Sequence, residues 1–258
     1  MTSVDYSVLD RPDISMNSFY PRRNWMPPPE GAEDHTVSVE DGVTLSCRFF
    51  PVGPESPTIL FFYGNGETAG DYDSIAPLYN QIGANFFVAD YRGYGGSGGS
   101  PSFNAMLSDA GKVLEALQAT LKSGQFTGDI FVMGRSMGRH PAFELAANPK
   151  DGIKGLIVES GRPTLGQFVQ GLDLSEAQSL SAAYQDKVRS IKIPVLVIHG
   201  EMDTLAPVEE AMKMYEEFPS PDKRLLTVPG AGHNDLLHLG INKYFTAIHD
   251  FVSPLLET

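Results

Sequence analysis

The chain has 258 residues, a formal charge of −13 and a single cysteine, Cys47. One cysteine excludes an intrachain disulfide, and the length suits one large domain whose core needs no covalent staple. The negative field disfavours nucleic acid and anionic membranes. No apolar run approaches the ~20 residues of a membrane helix, and the N-terminus lacks a basic patch followed by an apolar stretch. Together these features predict a soluble, cytoplasmic protein with no nucleic-acid partner and no stable membrane insertion.

Residues 1–35 read as an irregular arm interrupted by Pro12, Pro21 and the run Pro27 to Pro29. The patch from Phe19 to Trp25 holds only two basic residues, Arg22 and Arg23. It reads better as an extended segment laying its aromatics on the domain than as a membrane-touching arm. Residues 36–258 read as one α/β domain. From His35 to Pro51, Val37, Val39, Val43, Leu45 and Phe49 alternate about the turn Glu40-Asp41-Gly42, which predicts a hairpin. Short apolar runs follow at Thr58 to Tyr63, Asn85 to Ala89, Asp129 to Met133, Ile153 to Val158, Val195 to His199 and Leu225 to Val228. Helical stretches separate them. Met106 to Leu121 carries apolar residues at helical spacing, and Ser175 to Ile191 opens with a capping-box pattern, Ser175-Glu176-Ala177-Gln178. Near-continuous apolar strands alternating with helices predict an eight-stranded, mostly parallel sheet covered on both faces.

Ligands of such sheets bind at the carboxyl ends of the strands. The run ending at Met133 leads directly into Gly134-Arg135-Ser136-Met137-Gly138 and then a helix. A G-x-S-x-G between strand and helix is a nucleophile elbow, which presents the serine hydroxyl above the sheet. The Met137 N–H then lies at a helix start, where it can stabilise negative charge. A serine needs a base. His233 sits in the flexible loop Pro229-Gly230-Ala231-Gly232-His233-Asn234. His35 lies before the core, His238 and His249 fall in or near the last helix, His199 reads as a satisfied core histidine, and His140 reads as pointing away from the site. The orienting acid is expected after the strand ending at His199, at Asp203, with Glu201 and Glu159 as alternatives. The second oxyanion donor is expected in the loop Tyr63-Gly64-Asn65-Gly66-Glu67, from the N–H of Asn65 or else Gly66. No His/Cys/carboxylate cluster has ligand spacing, so neither metal nor cofactor is expected.

Tyr63-Gly64-Asn65-Gly66, the Asp90 to Gly99 stretch, the Ser136 elbow, His199-Gly200-Glu201-Met202-Asp203 and Gly232-His233 occur in that order. Over roughly residues 36–252 the chain resembles the α/β-hydrolase domain-containing proteins, in particular their bud-emergence-like branch. The resemblance implies the α/β-hydrolase fold and a serine hydrolase. Carboxylesterases, acyl thioesterases and peptidase-like enzymes share this pattern, which makes Asp90 to Gly99 a supporting turn. Two positions depart from it. Tyr63 stands where the family usually has histidine; it reads as a packed ring, or else as a hydroxyl offered to the oxyanion. Arg139-His140 stand where small residues are commoner, and either narrow the pocket or bind a partner.

The interval between Val158 and Pro194 is too short for a full lid, so the cap is expected to be minimal. Leu165 and Phe168, with Tyr63, are candidate substrate contacts. The expected substrate is a small-molecule ester or acyl compound, cleaved through an acyl-enzyme on Ser136. A peptidase or amidase of the same fold and a non-catalytic ligand-binding member are the competing readings.

Overall fold

The computed structural model describes residues 4–148 and 152–253. Eight strands form one sheet: β1 (Glu33–Glu40), β2 (Val43–Phe50), β3 (Thr58–Phe62), β4 (Asn85–Ala89), β5 (Ile130–Arg135), β6 (Ile153–Glu159), β7 (Val195–Gly200) and β8 (Lys223–Val228). Their spatial order is β1-β2-β4-β3-β5-β6-β7-β8. β1 and β2 form the expected antiparallel hairpin, β2 joins β4 antiparallel, and all other pairings are parallel. Every residue of β3, β4 and β7 is buried, because helices cover both faces of the sheet centre.

From β3 the chain crosses to β4 on one side, and β5 then adds on the other. The crevice outside the carboxyl ends of β3 and β5 is therefore the topological switch point. The helices are α1 (Pro12–Ser18), α2 (Ala76–Gln81), α3 (Phe103–Ser123), α4 (Arg139–Ala146), α5 (Leu174–Ser190), α6 (Val208–Glu217) and α7 (Leu236–Val252). The apolar spacing read over Met106 to Leu121 lies within α3, whose buried face carries Leu107, Val113, Leu114, Leu117 and Leu121. α5 starts two residues earlier than the capping-box pattern suggests. Its cap is Asp173, whose carboxylate accepts from the Glu176 N–H, so Ser175 lies inside the helix.

The arm is more ordered than its prolines suggested. A 3-10 helix at Ser7–Asp10 precedes α1, and Pro12 occupies the first helical position, where a missing N–H costs nothing. Tyr6, Leu9, Ile14 and Phe19 join the main core. Farther along, the fully buried Arg48 pairs with Asp34 and Asp73, donates to the Met26 carbonyl at 2.6 Å and stacks under Trp25. That cation is neutralised on two sides, and it fixes the end of the arm to the sheet edge. Among the described residues no helix is long and apolar enough to cross a membrane.

Where β5 turns into α4, the backbone passes so close to β3 that a Cβ on Gly138 would lie 2.0 Å from the Phe62 carbonyl oxygen. The atoms met are all backbone of Phe62 and Tyr63, which cannot give way as a flexible side chain would. Gly138→Ala should therefore cost about 2 kcal/mol or more of stability in urea unfolding. Gly111→Ala, in open space on α3, should be neutral or slightly stabilising.

Candidate active site

Ser136 follows β5 directly and has φ 50°, a left-handed conformation that serine rarely adopts. The short 3-10 turn Ser136–Gly138 then feeds α4. Arg139 braces the turn from inside. Buried, it donates to the Ser136 carbonyl at 2.7 Å, to Arg162 O at 2.9 Å and to Thr164 O at 2.7 Å. Burial pulls its pKa down to about 10. Arg139 and His140 are thus both buried inside the domain. His140 is buried against Phe103 and Phe168 and bonded through Nδ1 to the Tyr184 hydroxyl at 2.6 Å.

The His233 ring reaches back over the sheet, with Nε2 at 2.8 Å from Ser136 Oγ and Nδ1 at 2.7 Å from Asp203 Oδ2. The two carboxyl oxygens of Asp203 divide their work. Oδ1 accepts from the N–H groups of Leu205 and Ala206 at 2.9 and 2.8 Å, capping its own turn, while Oδ2 faces His233. One side chain thus both caps its own turn and bonds the imidazole. His199, fully buried, donates from Nε2 to Ala206 O at 2.7 Å and lies 3.3 Å from Asp203 Oδ2. Burial opposes the Asp203 charge, but the bonds from His199, His233 and Ala206 hold its pKa below the usual carboxylate range. Neither alternative acid touches His233 Nδ1: Glu201 is exposed and accepts from Thr227, and Glu159 is bonded to Arg135 and Tyr244.

The loop after β3 lies beside the elbow. Asn65 is held by its side chain, which donates to Ser18 O at 2.7 Å and accepts from Tyr20 N–H at 2.9 Å and from the Tyr94 hydroxyl at 2.6 Å. Tyr63 does not offer its hydroxyl to the site. The ring is fully buried and the hydroxyl donates to Asp90 Oδ1 at 2.7 Å, which corrects its placement as a substrate contact. Asp90 Oδ1 also accepts from Ala69 N–H at 2.8 Å, so the Asp90 to Gly99 stretch supports the loop from below. Leu165 and Phe168 are likewise not open to a substrate. Both are buried, and the Phe19 ring of the arm covers Phe168 at 5.2 Å. Sequence reasoning passed over Arg135, the second residue of the elbow pentapeptide. A charged side chain amid apolar strand residues was the available signal.

Comparison with known proteins agrees with this architecture. A family profile described as "Serine aminopeptidase, S33" (Hydrolase_4) matches residues 53–167 and 173–238. The chain belongs to this family of α/β-hydrolases. It is 32% identical over 228 residues to the protein bem46 of Schizosaccharomyces pombe, covering 84% of this chain and 75% of that one. It is 30% identical over 217 residues to human alpha/beta hydrolase domain-containing protein 17B, covering 82% and 72%. The esterase Pf2001 of Pyrococcus furiosus shares the fold, with a TM-score of 0.69 at 23% identity over 90% of this chain and 97% of that one.

Burial pushes the Asp90 carboxyl up to about 6 against the bonds from Tyr63, Ala69 and Gly96. Between the ordinary value near 4 and that raised value, the folded form keeps a proton that the unfolded form has lost. Stability from this group is therefore present in acid and falls as pH rises through the window, by about 3 kcal/mol at most. Asp90→Asn removes the titration. Its unfolding free energy relative to the parent should rise from pH 4 to pH 6.5 in urea titrations, and a flat difference would contradict this account.

Proposed function

We propose that the protein is a serine hydrolase that cleaves carboxylic esters or thioesters through an acyl-enzyme on Ser136. The observation that carries this reading is the unbroken line from Asp203 Oδ2 through both nitrogens of His233 to Ser136 Oγ, at 2.7 and 2.8 Å. Because Asp203 stays ionised, it can only accept, so His233 Nδ1 must carry a proton and donate it. Nε2 of the neutral ring is then free to accept from the serine hydroxyl, the tautomer that general-base catalysis needs.

Ser136 Oγ forms a bond to the acyl carbon as its proton passes to His233 Nε2. The carbonyl π bond opens onto oxygen, and the N–H groups of Met137 and Asn65 are assigned to that oxyanion. One such donor is worth about two to three powers of ten in rate. Collapse re-forms the carbonyl and expels the alcohol or thiol, which takes the proton back from His233. Water then repeats the sequence on the acyl-enzyme and releases the acid. Asp203 steadies the imidazolium and keeps its own charge throughout. The closed packing of Leu165 and Phe168 under Phe19 favours short acyl groups.

With p-nitrophenyl esters the chain should show a burst of p-nitrophenol followed by steady turnover, faster for acetyl and butyryl than for decanoyl. Ser136→Ala should lower kcat by about a thousandfold or more, and Asp203→Asn by about ten-thousandfold through the wrong tautomer. Acyl anilides cleaved faster than the matching esters would move the assignment to an amidase. Undiminished turnover by Ser136→Ala would remove it altogether.

A further inference from the structure

The guanidinium of Arg135 bonds three elements around Ser136 at once. Its Nη1 pairs with Glu67 in the loop after β3. Its Nε donates to Glu159 Oε1 at 3.1 Å, at the end of β6. Its Nη2 donates to the His233 carbonyl at 3.2 Å and to Asn234 Oδ1 at 2.8 Å. Each partner is itself tied down. The second oxygen of Glu67 accepts from Gly64 N–H at 2.9 Å and from the Tyr72 hydroxyl at 2.7 Å. The second oxygen of Glu159 accepts from the Tyr244 hydroxyl at 2.7 Å, and the Ser160 hydroxyl adds a bond to the His233 carbonyl. The fit against the loop backbone is close: a Cβ on Gly64 would lie 2.6 Å from Arg135 Nη1.

From this geometry we infer that Arg135 is a positioning residue that sets the oxyanion loop and the His233 loop at a fixed separation across Ser136. The inference rests on the serine-hydrolase reading and deepens it. Only a planar fork can reach three elements at once with directed bonds; the single ammonium of lysine cannot. Burial opposes the guanidinium charge, but Glu159 and Glu67 more than offset that and hold it protonated. Its removal would leave two carboxylates facing a half-dry cleft with no cation between them. Arg135 itself touches no reacting atom. What it controls is where Gly64-Asn65 and the imidazole stand when the oxyanion forms, a requirement that tightens in the transition state rather than in the ground state.

The test uses Arg135→Lys and Glu67→Gln in the full chain, with p-nitrophenyl butyrate as the probe. The burst amplitude counts competent sites, so kcat is taken per titrated site and a merely misfolded fraction drops out. Both variants should lose about ten- to a hundredfold in kcat per site, with KM within about threefold of the parent. Arg135→Lys should not rescue what Arg135→Met loses. Glu67 is partly exposed, so its variant should fold even where an Arg135 variant does not. Parental kcat per site in Glu67→Gln, or full rescue by lysine, would overturn the inference. An unmutated chain with no burst would instead overturn the serine-hydrolase reading, and the inference with it.

Discussion

At the top of this sheet the chain must leave β5, reverse into α4 and expose one hydroxyl within a single left-handed residue. Ser136 holds φ 50° only because its surroundings over-determine it. Gly138 lets the turn press against the β3 carbonyls, and the Arg139 guanidinium adds a second bond to the Ser136 carbonyl, which also accepts the Arg139 backbone N–H. With the hydroxyl fixed in that way, its distances to His233 and to the loop after β3 become properties of the fold rather than of chance loop positions.

The rest of the site follows from where the strands end. β3 and β5 flank the switch point and deliver the candidate oxyanion loop and Ser136 side by side; β7 and β8 deliver Asp203 and His233 from the far side. Buried charge binds these deliveries together. Asp203 lies between two imidazoles and two N–H groups, and Arg135 lies between two carboxylates. Both ions are compensated by hydrogen bonds as well as opposite charge or dipoles, the condition under which the desolvation penalty of a buried ion is offset and the ion can specify geometry. The arm adds a further restraint. Ser18 and Tyr20 bond the Asn65 side chain, and Phe19 closes over Phe168, so the covering element comes from the chain's start rather than from the interval after β6.

The strands were legible because burial on both faces writes itself as unbroken apolar runs: the run at Asn85 to Ala89 is β4, and that at Val195 to His199 is β7 but for one residue. Ser136, His233 and Asp203 were legible as a constellation because each follows a strand in the order that this sheet requires, and the structure brings the three within hydrogen-bond distance. What the sequence hid was contact between distant segments. Leu165 and Phe168 read as candidate substrate contacts because nothing in their own neighbourhood announces Phe19. Tyr63 read as a possible donor because its partner, Asp90, lies in another loop. The Asp173 cap was missed for a local reason, since Ser175 three residues before Gln178 matches the capping pattern equally well.

The account stands or falls on a hydroxyl made nucleophilic by the folded site. Peptide mapping by mass spectrometry after reaction with a fluorophosphonate tests that most directly. The account predicts one adduct, on the peptide containing Ser136, that disappears when the chain is denatured by heat before reaction or carries His233→Ala. An adduct at another residue, or one that survives denaturation unchanged, would contradict it.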